Sequence, residues 1–337
     1  MKVTISDVAH MAGVSTATVS HTINNTRYVS AETKERVCRA IAELGYTPDA
    51  SARSFRTGKK KTVGFIVPDI SSKFFGNMIE SVENYLSAHG YHLIIANTKE
   101  DADREETHLR LLTAGLVDGI LVASTMDDFE RFDRLIPAGF PVVLVDRVFE
   151  TKKYPSACVS NFQPIYRSVC RLAGKGCRRI GIIGGLPRLS STKERISAYK
   201  EAVADCGLEQ DDGLILYGDS MENSVQKCLD QLLERRCDAI IVCQGLMASE
   251  TVMYLHRKGI EPGKDLDLVS FVDYDSNAYQ PYADQIDRII QPVEELAVAA
   301  GEQILRRVEE PDAPIFEKVL TSMYKPYDVP SGWNQKR

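Results

Sequence analysis

The sequence has no apolar run of the roughly 18 residues that a membrane-spanning helix requires. Its apolar runs, such as Val142–Val145, have the length of single strands. Residues 1–10 also lack the apolar core of a secretory signal. We therefore expect a cytoplasmic protein without a membrane partner.

The eight cysteines lack the spacing of a metal site. They are scattered between Cys38 and Cys243, with no Cys-x-x-Cys motif and no paired histidines nearby. Because zinc sites gather several such ligands at close spacing, we expect no metal here. We expect the thiols to be reduced and mostly buried.

Catalytic motifs are scarce as well. The glycines of 181–185 lack the spacing of a dinucleotide-binding loop, and 174–176 is not a phosphate-binding loop. There is no Gly-x-Ser-x-Gly motif, and no histidine has an evident nucleophile partner. The sequence therefore predicts a protein that is not an enzyme and binds no cofactor.

Charge is distributed unevenly along the 337 residues, whose net charge is −6. Residues 1–61 contain ten basic and five acidic groups, a net charge of +5, and the remainder carries −11. A basic module on an acidic body is typical of a protein in which only one part contacts phosphates. A solvated helix face with surplus lysine and arginine would give the same count, so charge alone leaves both interpretations open.

Three short helices are predicted near the N-terminus. The first begins with a capping box at Thr4 and ends at Gly13. Ser15 caps the second helix, and Ser30 caps a third that Gly45 ends. Two short helices joined by a glycine turn form a helix-turn-helix, whose second helix enters the DNA major groove.

From residue 62 onward, apolar strands alternate with amphipathic helices. Strands are predicted at 63–67, 93–96, 119–123, 142–145, 179–184, 214–217, 239–243 and 266–271. Helices are predicted at 74–89, 105–116, 129–138, 192–206, 225–234 and 248–258. Continuous Val- and Ile-rich strands between helices indicate parallel sheets covered on both faces. We expect two doubly wound lobes with a ligand cleft at the carboxyl ends of their strands.

The N-terminal run resembles the DNA-binding head of the LacI/GalR family of bacterial transcription regulators. The resemblance is carried by residues 4–25, TISDVAHMAGVSTATVSHTINN, and by VSAET at 29–33, LGYTP at 44–48 and ARSFRTG at 52–58. The stretch 15–21 is most similar to the purine-repressor members of that family.

This resemblance implies DNA contacts in the head and in the hinge that follows. Residues facing base edges would be Thr16, Ala17 and His21, and His21 replaces an arginine that is common in the family. Phosphate contacts would come from Ser15, Thr18, Asn24, Arg27 and Tyr28. The hinge contacts would be Ala52, Arg53, Phe55 and Arg56, with Phe55 wedged into a minor-groove step in place of the usual leucine.

The body resembles the periplasmic-binding-protein-like core of the same family over nearly its whole length. The match is carried by VGFIVPDISS at 63–72, VDGIL at 117–121, PVVLVDR at 141–147 and QP at 291–292. The effector-binding residues that it implies are Asp69, Ser71, Phe74, Phe75, Asp146, Arg147, Arg195, Gln244, Asp273 and Gln291.

Two departures from the family pattern bear on the effector. The chain has Gln-Gly at 244–245 where Asn-Asp is usual, and Ser-Phe-Val-Asp at 270–273 where Gly-Phe-Asp-Asp is usual. Two carboxylates that commonly hold sugar hydroxyls are therefore missing, whereas Arg147 and Arg195 remain. Because arginine binds carboxylate or phosphate bidentately, we expect an acidic sugar or a sugar phosphate. A neutral sugar and a pocket with little response to any ligand are the alternatives.

The predicted fold combines an all-α helix-turn-helix head at 1–48, a hinge helix and linker at 49–61, and an α/β core at 62–337. The core would be periplasmic-binding-protein-like, type I, with two doubly wound parallel-sheet lobes. The first lobe would take 62–160 with 292–320, and the second 161–290 with 321–330.

The predicted function is that of a bacterial, sequence-specific transcriptional regulator, a repressor that the effector controls. Its partners would be a palindromic double-stranded DNA operator and a second copy of the chain. Residues 326–337 show no heptad repeat, so we expect a homodimer rather than a tetramer. A soluble sugar-binding protein is the alternative, but it would have no use for residues 1–58.

Overall fold

The computed structural model describes residues 3–24, 27–46, 59–218, 224–271 and 285–327. The chain divides into two compact units, Met1–Lys60 and Lys61–Arg337. No helix in the described ranges is both long enough and apolar enough to cross a bilayer.

The first unit contains three helices, which are α1 (Ile5–Ala12), α2 (Thr16–Asn24) and α3 (Ala31–Leu44). They enclose a small apolar core in which Val8, Val19 and Val37 are fully buried. Local caps fix where the helices begin and end. The capping box at Thr4 is present, and Gly13 ends α1 with a left-handed φ of 63°, which glycine adopts without steric cost.

The first lobe of the second unit is a parallel six-stranded sheet. Its strands are β1 (Thr62–Val67), β2 (His92–Asn97), β3 (Gly119–Val122), β4 (Val142–Val145), β5 (Ser156–Ser160) and β11 (Glu317–Thr321). Their order is β11-β5-β4-β3-β1-β2, with every neighbouring pair parallel. The helices of this lobe are α4 (Lys73–Ala88), α5 (Ala102–Thr113), α6 (Phe129–Arg134) and α11 (Val293–Glu309).

The second lobe repeats the arrangement. Its strands are β6 (Ile180–Gly184), β7 (Ile215–Tyr217), β8 (Ala239–Val242), β9 (Asp267–Phe271), β10 (Asp287–Ile290) and β12 (Met323–Lys325). Their order is β12-β10-β9-β8-β6-β7, and only β12 runs antiparallel to its neighbour. Its helices are α7 (Phe162–Gly174), α8 (Ser190–Asp205), α9 (Val225–Glu234) and α10 (Gly245–Arg257).

The central strands of each sheet are buried on both faces, which explains their continuous apolar sequences. In β1, Phe65 packs into the core that α4 and α11 cover, whereas Ile66 packs on the opposite face. Helix α11 approaches α4 closely because position 301 is glycine. A Cβ atom at Gly301 would lie 2.4 Å from the ring of Tyr85.

Several sequence-based expectations need correction. Helix α5 begins at Ala102 rather than 105, because the Asp101 carboxylate caps it by accepting the amides of Asp103 and Arg104. Helix α6 ends at Arg134 rather than 138, since Pro137 cannot donate a main-chain hydrogen bond. The elements that were not foreseen are β5, α7, β10, α11, β11 and β12.

The expectation of mostly buried thiols holds for only part of the set. Four cysteines are buried, three are intermediate and Cys38 is exposed on α3. All eight are free thiols.

Candidate functional site

The first candidate site is the N-terminal end of α2 in the head. Ser15, Thr16 and Ala17 are exposed there. The Ser15 hydroxyl accepts the Thr18 amide at 3.1 Å and is hydrogen-bonded to the Thr18 hydroxyl at 2.9 Å. Such a helix end presents main-chain N–H groups and a positive dipole end, the features that favour contact with a phosphate.

The other predicted head contacts lie further along the chain. His21 is half-buried on α2, and the Asn24 side-chain amide donates to the Ser20 carbonyl at 2.8 Å, so part of its hydrogen-bonding capacity is already used. Arg27 is exposed, and Tyr28 has 95% of its surface exposed. The hinge residues Ala52, Arg53, Phe55 and Arg56 lie outside the described residues.

The second candidate site is a cleft between the two lobes of the core. Its volume, including the space open to solvent, is about 760 Å³. Strands from both sheets end here, as expected for ligand sites in doubly wound folds. The predicted residues that line it are Asp69, Phe74, Phe75, Asp146, Arg147, Arg195, Gln244 and Gln291. Asp273 lies outside the described residues.

Ser71 does not line the cleft but supports a residue that does. Its amide donates to Asp69 Oδ1 at 2.9 Å, and its hydroxyl donates to both carboxylate oxygens, at 2.7 and 2.9 Å. These bonds orient the Asp69 carboxylate at the end of β1. Ser71 is therefore a positioning residue for Asp69 in this geometry.

Arg147, the second residue after β4, is bound by a carboxylate that sequence analysis missed. Its Nη1 and Nη2 atoms donate to Glu100 Oε2 and Oε1 at 2.8 and 2.6 Å, a bidentate pair. Burial opposes the charged guanidinium, yet the Glu100 hydrogen bonds and nearby carboxylates leave its pKa raised overall. The Glu100 carboxylate thus balances the positive charge of Arg147 within the protein.

Asp146 is placed in the cleft by an unusual backbone. Its φ is 64°, in the left-handed region, and its amide donates to the Ala157 carbonyl at 2.9 Å. Burial raises the pKa of the Asp146 carboxyl, and the charges of Arg147 and Arg195 oppose that rise. Asp146 can therefore accept hydrogen bonds from a ligand, although its burial disfavours the ionised carboxylate.

Arg195 differs from Arg147 in its partners. It is only 6% exposed, and its Nη1 atom donates to the Cys243 carbonyl at 2.7 Å. The guanidinium carbon lies 4.2 Å from the centre of the Phe271 ring. Burial lowers the pKa of Arg195, and within the described residues its Nε atom has no hydrogen-bond partner. Among the residues that the structure describes, this buried cation of the cleft therefore has no bidentate carboxylate partner.

The remaining lining is apolar with a few polar groups. Phe74 and Phe75 meet edge to face, with ring centroids 5.0 Å apart. The Gln291 side-chain nitrogen is buried and has no partner among the described atoms. The lining residues that were not predicted are Ser72, Glu100, Ser191, Cys243, Gly245, Leu246 and Phe271.

The chemistry of the cleft is that of a binding site. Three carboxylates and two guanidinium groups surround apolar rings that can cover a sugar or another small polar ring. Within the described ranges, no three His, Cys, Asp or Glu side chains converge as metal ligands would. Glu100 follows β2 by three residues, so its position at a strand end was the signal that could have identified it.

Both units of the chain match known protein families. Residues 4–49 match the family of bacterial regulatory proteins of the lacI type, and residues 60–291 match the periplasmic binding proteins and sugar-binding domain of the LacI family. The transcriptional repressor PurR of Vibrio atlanticus is 31% identical over 314 residues, covering 92% of this chain and 93% of that protein.

A second relative and a solved structure are also similar to this chain over nearly its whole length. The ribose operon repressor of Haemophilus influenzae is 32% identical over 313 residues, covering 92% of this chain and 93% of that protein. The structure of the regulator CelR in complex with cellobiose superposes with a TM-score of 0.71 at 25% identity, covering 96% of this chain and 98% of that one. These relatives are regulators rather than enzymes. The chain belongs to the LacI family of bacterial regulatory proteins, and it is a DNA-binding transcriptional repressor with an effector-binding core.

Proposed function

We propose that this repressor binds a palindromic operator as a homodimer and that a small molecule in the interlobe cleft sets its affinity for DNA. One observation carries the proposal: a single chain combines a helix-turn-helix with a cleft in which buried donors have no partner among the described atoms. The coupling between such sites is typically worth about 1–3 kcal/mol. The dimer and a cytoplasmic location, with nucleoid association on operator binding, are parts of this proposal.

The DNA contacts follow the exposed end of α2. Thr16, Ala17 and His21 would meet base edges, whereas Ser15, Thr18 and Arg27 would bind phosphates. The exposure of Tyr28 supports a contact there, because a large aromatic side chain in water gains from burial against a partner. Asn24 would contribute through the part of its amide that Ser20 leaves unused.

The hinge contacts rest on the sequence. Phe55 would insert between base pairs of the minor groove while Arg53 and Arg56 follow its walls, with Ala52 at the start of the contact. We retain the division into a head at 1–48, a hinge and linker at 49–61 and a core at 62–337.

The effector that the cleft favours carries one acidic group. Arg147 is already paired with Glu100, so it does not supply the free positive charge that sequence analysis assigned to it. Arg195 does, because within the described residues its guanidinium donates to the Cys243 carbonyl and no carboxylate binds it bidentately. We therefore assign the acidic group to Arg195, with sugar hydroxyls donating to Asp69 and Asp146. An acidic sugar or a sugar phosphate fits this description.

A neutral sugar is the second candidate. Asp69 and Asp146 are acceptors suited to hydroxyl groups, and Phe74 and Phe271 provide apolar rings. The structural relative CelR was solved with cellobiose, a neutral sugar, in the same fold.

Calorimetry with matched ligands separates the two candidates. Glucose, glucuronate and glucose 6-phosphate share one ring, as do ribose and ribose 5-phosphate, so charge is the main variable in each set. The proposal expects the acidic members to bind and the neutral ones to fail, and Arg195→Gln should abolish the preference. Arg178→Gln, at an exposed position, is the matched control. Tighter binding of a neutral sugar than of its acid would contradict the proposed effector class.

A further inference from the structure

The loop between β2 and α5 contains two residues with left-handed backbone. Lys99 and Glu100 have φ values of 54° and 58°, and neither is glycine. Backbone of this kind is disfavoured for residues with a Cβ atom and persists where the surroundings hold it in place. Contacts with the rest of the fold therefore hold this loop in place.

Three separate contacts fix Glu100. Its amide donates to the Pro68 carbonyl at 3.1 Å, next to the end of β1. Its carbonyl accepts a hydrogen bond from Nη2 of Arg188 in the second lobe, at 3.1 Å. Its carboxylate binds both terminal nitrogens of Arg147. Glu100 thus links one strand end, the opposite lobe and the cleft.

The carboxylate of Glu100 has the chemistry of an acidic ligand. It lines the cleft, and its bidentate geometry with Arg147 is the one that arginine adopts with a bound carboxylate or phosphate. Both side chains are largely buried, at 8% exposed for Arg147 and 17% for Glu100. Because water screens such a pair little, an external anion would have to replace Glu100 in order to bind Arg147 in the same way.

We propose that Glu100 is a specificity-determining residue, an internal acid that occupies Arg147 and keeps anionic ligands away from that side of the cleft. Among the described residues that line the cleft, Arg195, on the second lobe, is then the cation that remains for an effector. This role rests on the proposed function, in which the cleft is the effector site. The competition between Glu100 and an anion for Arg147, however, does not depend on which effector is bound.

Inorganic phosphate tests this competition without knowledge of the natural effector. Glu100→Gln keeps the shape of the side chain and removes its charge, so Arg147 becomes available. We expect the Glu100→Gln variant to bind phosphate about tenfold more tightly than the unaltered protein, as measured by calorimetry, because one charged hydrogen-bonding partner has been removed. Without phosphate, the Tm of Glu100→Gln should be lower than that of the unaltered protein. Added phosphate should raise the Tm of the variant more steeply than that of the unaltered protein.

Two further variants show whether the gain depends on Arg147. The double variant Glu100→Gln/Arg147→Gln should lose the gain, whereas Glu201→Gln, at an exposed position on α8, should behave like the unaltered protein. Equal phosphate affinity with and without the Glu100 charge would overturn the inference. So would a gain that survives the loss of Arg147, since the phosphate would then be binding elsewhere.

Glucose serves as the uncharged probe in the same experiment. It should bind neither the unaltered protein nor Glu100→Gln measurably, and any glucose affinity that is found should be equal in the two proteins, because the proposed effect is one of charge. An equal gain for glucose and phosphate would instead indicate a loosened cleft and would refute the role of Glu100. If the sugar acids fail to bind the unaltered protein while the phosphate gain appears, the effector class is wrong and the role of Glu100 stands.

Discussion

The Nε atom of Arg188, on the second lobe, lies 3.2 Å from the main-chain oxygen of Thr125, on the first. The same guanidinium donates to the Glu100 carbonyl. One side chain thus bridges the lobes through two acceptors that belong to the backbone. A second bridge is the Val148 amide, which donates to the Ser190 hydroxyl at 3.1 Å. These contacts hold the two lobes together beside the cleft.

Removing the Arg188 bridge should open the core. Arg188→Ala deletes two charge-assisted hydrogen bonds, each of a kind worth about 1.5–3 kcal/mol. We expect a larger radius of gyration in small-angle scattering and faster hydrogen exchange at residues 98–101 and 124–126. Arg178→Ala, which alters an exposed arginine of the same lobe, should leave both unchanged. Identical scattering of the two variants would show that the bridge does not hold the lobes.

The acceptor loop of this bridge is itself held by a buried carboxylate. Glu105 is fully buried and accepts the Ser124 hydroxyl, the Thr125 amide and the Thr125 hydroxyl at 2.5–2.6 Å. Glu105→Gln replaces one acceptor oxygen by a donor and leaves a buried donor unsatisfied. We expect a loss of about 2–3 kcal/mol in the free energy of unfolding, measured in urea.

Glu201→Gln is the control for this measurement. Glu201 is exposed on α8, and substitutions at such positions change stability by about 0.5 kcal/mol or less. A loss of similar size in both variants would show that the Glu105 contacts do not stabilise the fold.

Stability should depend on the ionisation of Asp146. Because burial raises its pKa in the folded state, the folded protein favours the protonated carboxyl, and that contribution is lost as pH rises through the folded pKa. Asp146→Asn, which tolerates the same left-handed backbone, should therefore raise Tm at about pH 7.5. This gain in Tm should become smaller as the pH is lowered toward the ordinary aspartate pKa of about 3.9. A gain that does not vary with pH would mean that ionisation is not its cause.

His21 should determine one base preference in each half-site. Arginine donates two hydrogen bonds to guanine, at O6 and N7. In selection from a randomised operator, His21→Arg should therefore shift the preference toward guanine at a single symmetric position. Such a contact discriminates by about 1–3 kcal/mol. Selection that is unchanged at every position would remove His21 from the base contacts.

Phe55 offers a test of the hinge. Phe55→Ala should weaken specific binding more than nonspecific binding, because the wedge acts only where the minor groove is kinked. Competition measurements with operator and random DNA at one salt concentration give both affinities. Equal losses on the two DNAs would reject the wedge.

Local signals made the head predictable from sequence. The caps at Thr4, Ser15 and Ser30 and the glycine turns act within a few residues of the chain, and the structure shows each of them. The Val- and Ile-rich strand centres were predicted for the same reason. Strands β11 and β12 were missed because they are short and largely exposed edge strands, with little apolar pattern.

The cleft was predictable where residues follow strands directly. Asp146 and Gln291 come immediately after β4 and β10, so topology alone places them at the carboxyl edge. The pairing of Arg147 with Glu100 was not predictable, because 47 residues separate them and only the folded loop brings them together. That pairing gives Arg147 a partner within the protein that its sequence context did not indicate.

The most direct test of the account is a DNA-binding titration with an operator selected from random sequence. We predict palindrome-selective binding that weakens steeply with salt, as phosphate contacts require, and that changes when the acidic ligand found by calorimetry is added. Binding with no preference for the palindrome, or an operator affinity that the ligand leaves unaltered, would contradict it.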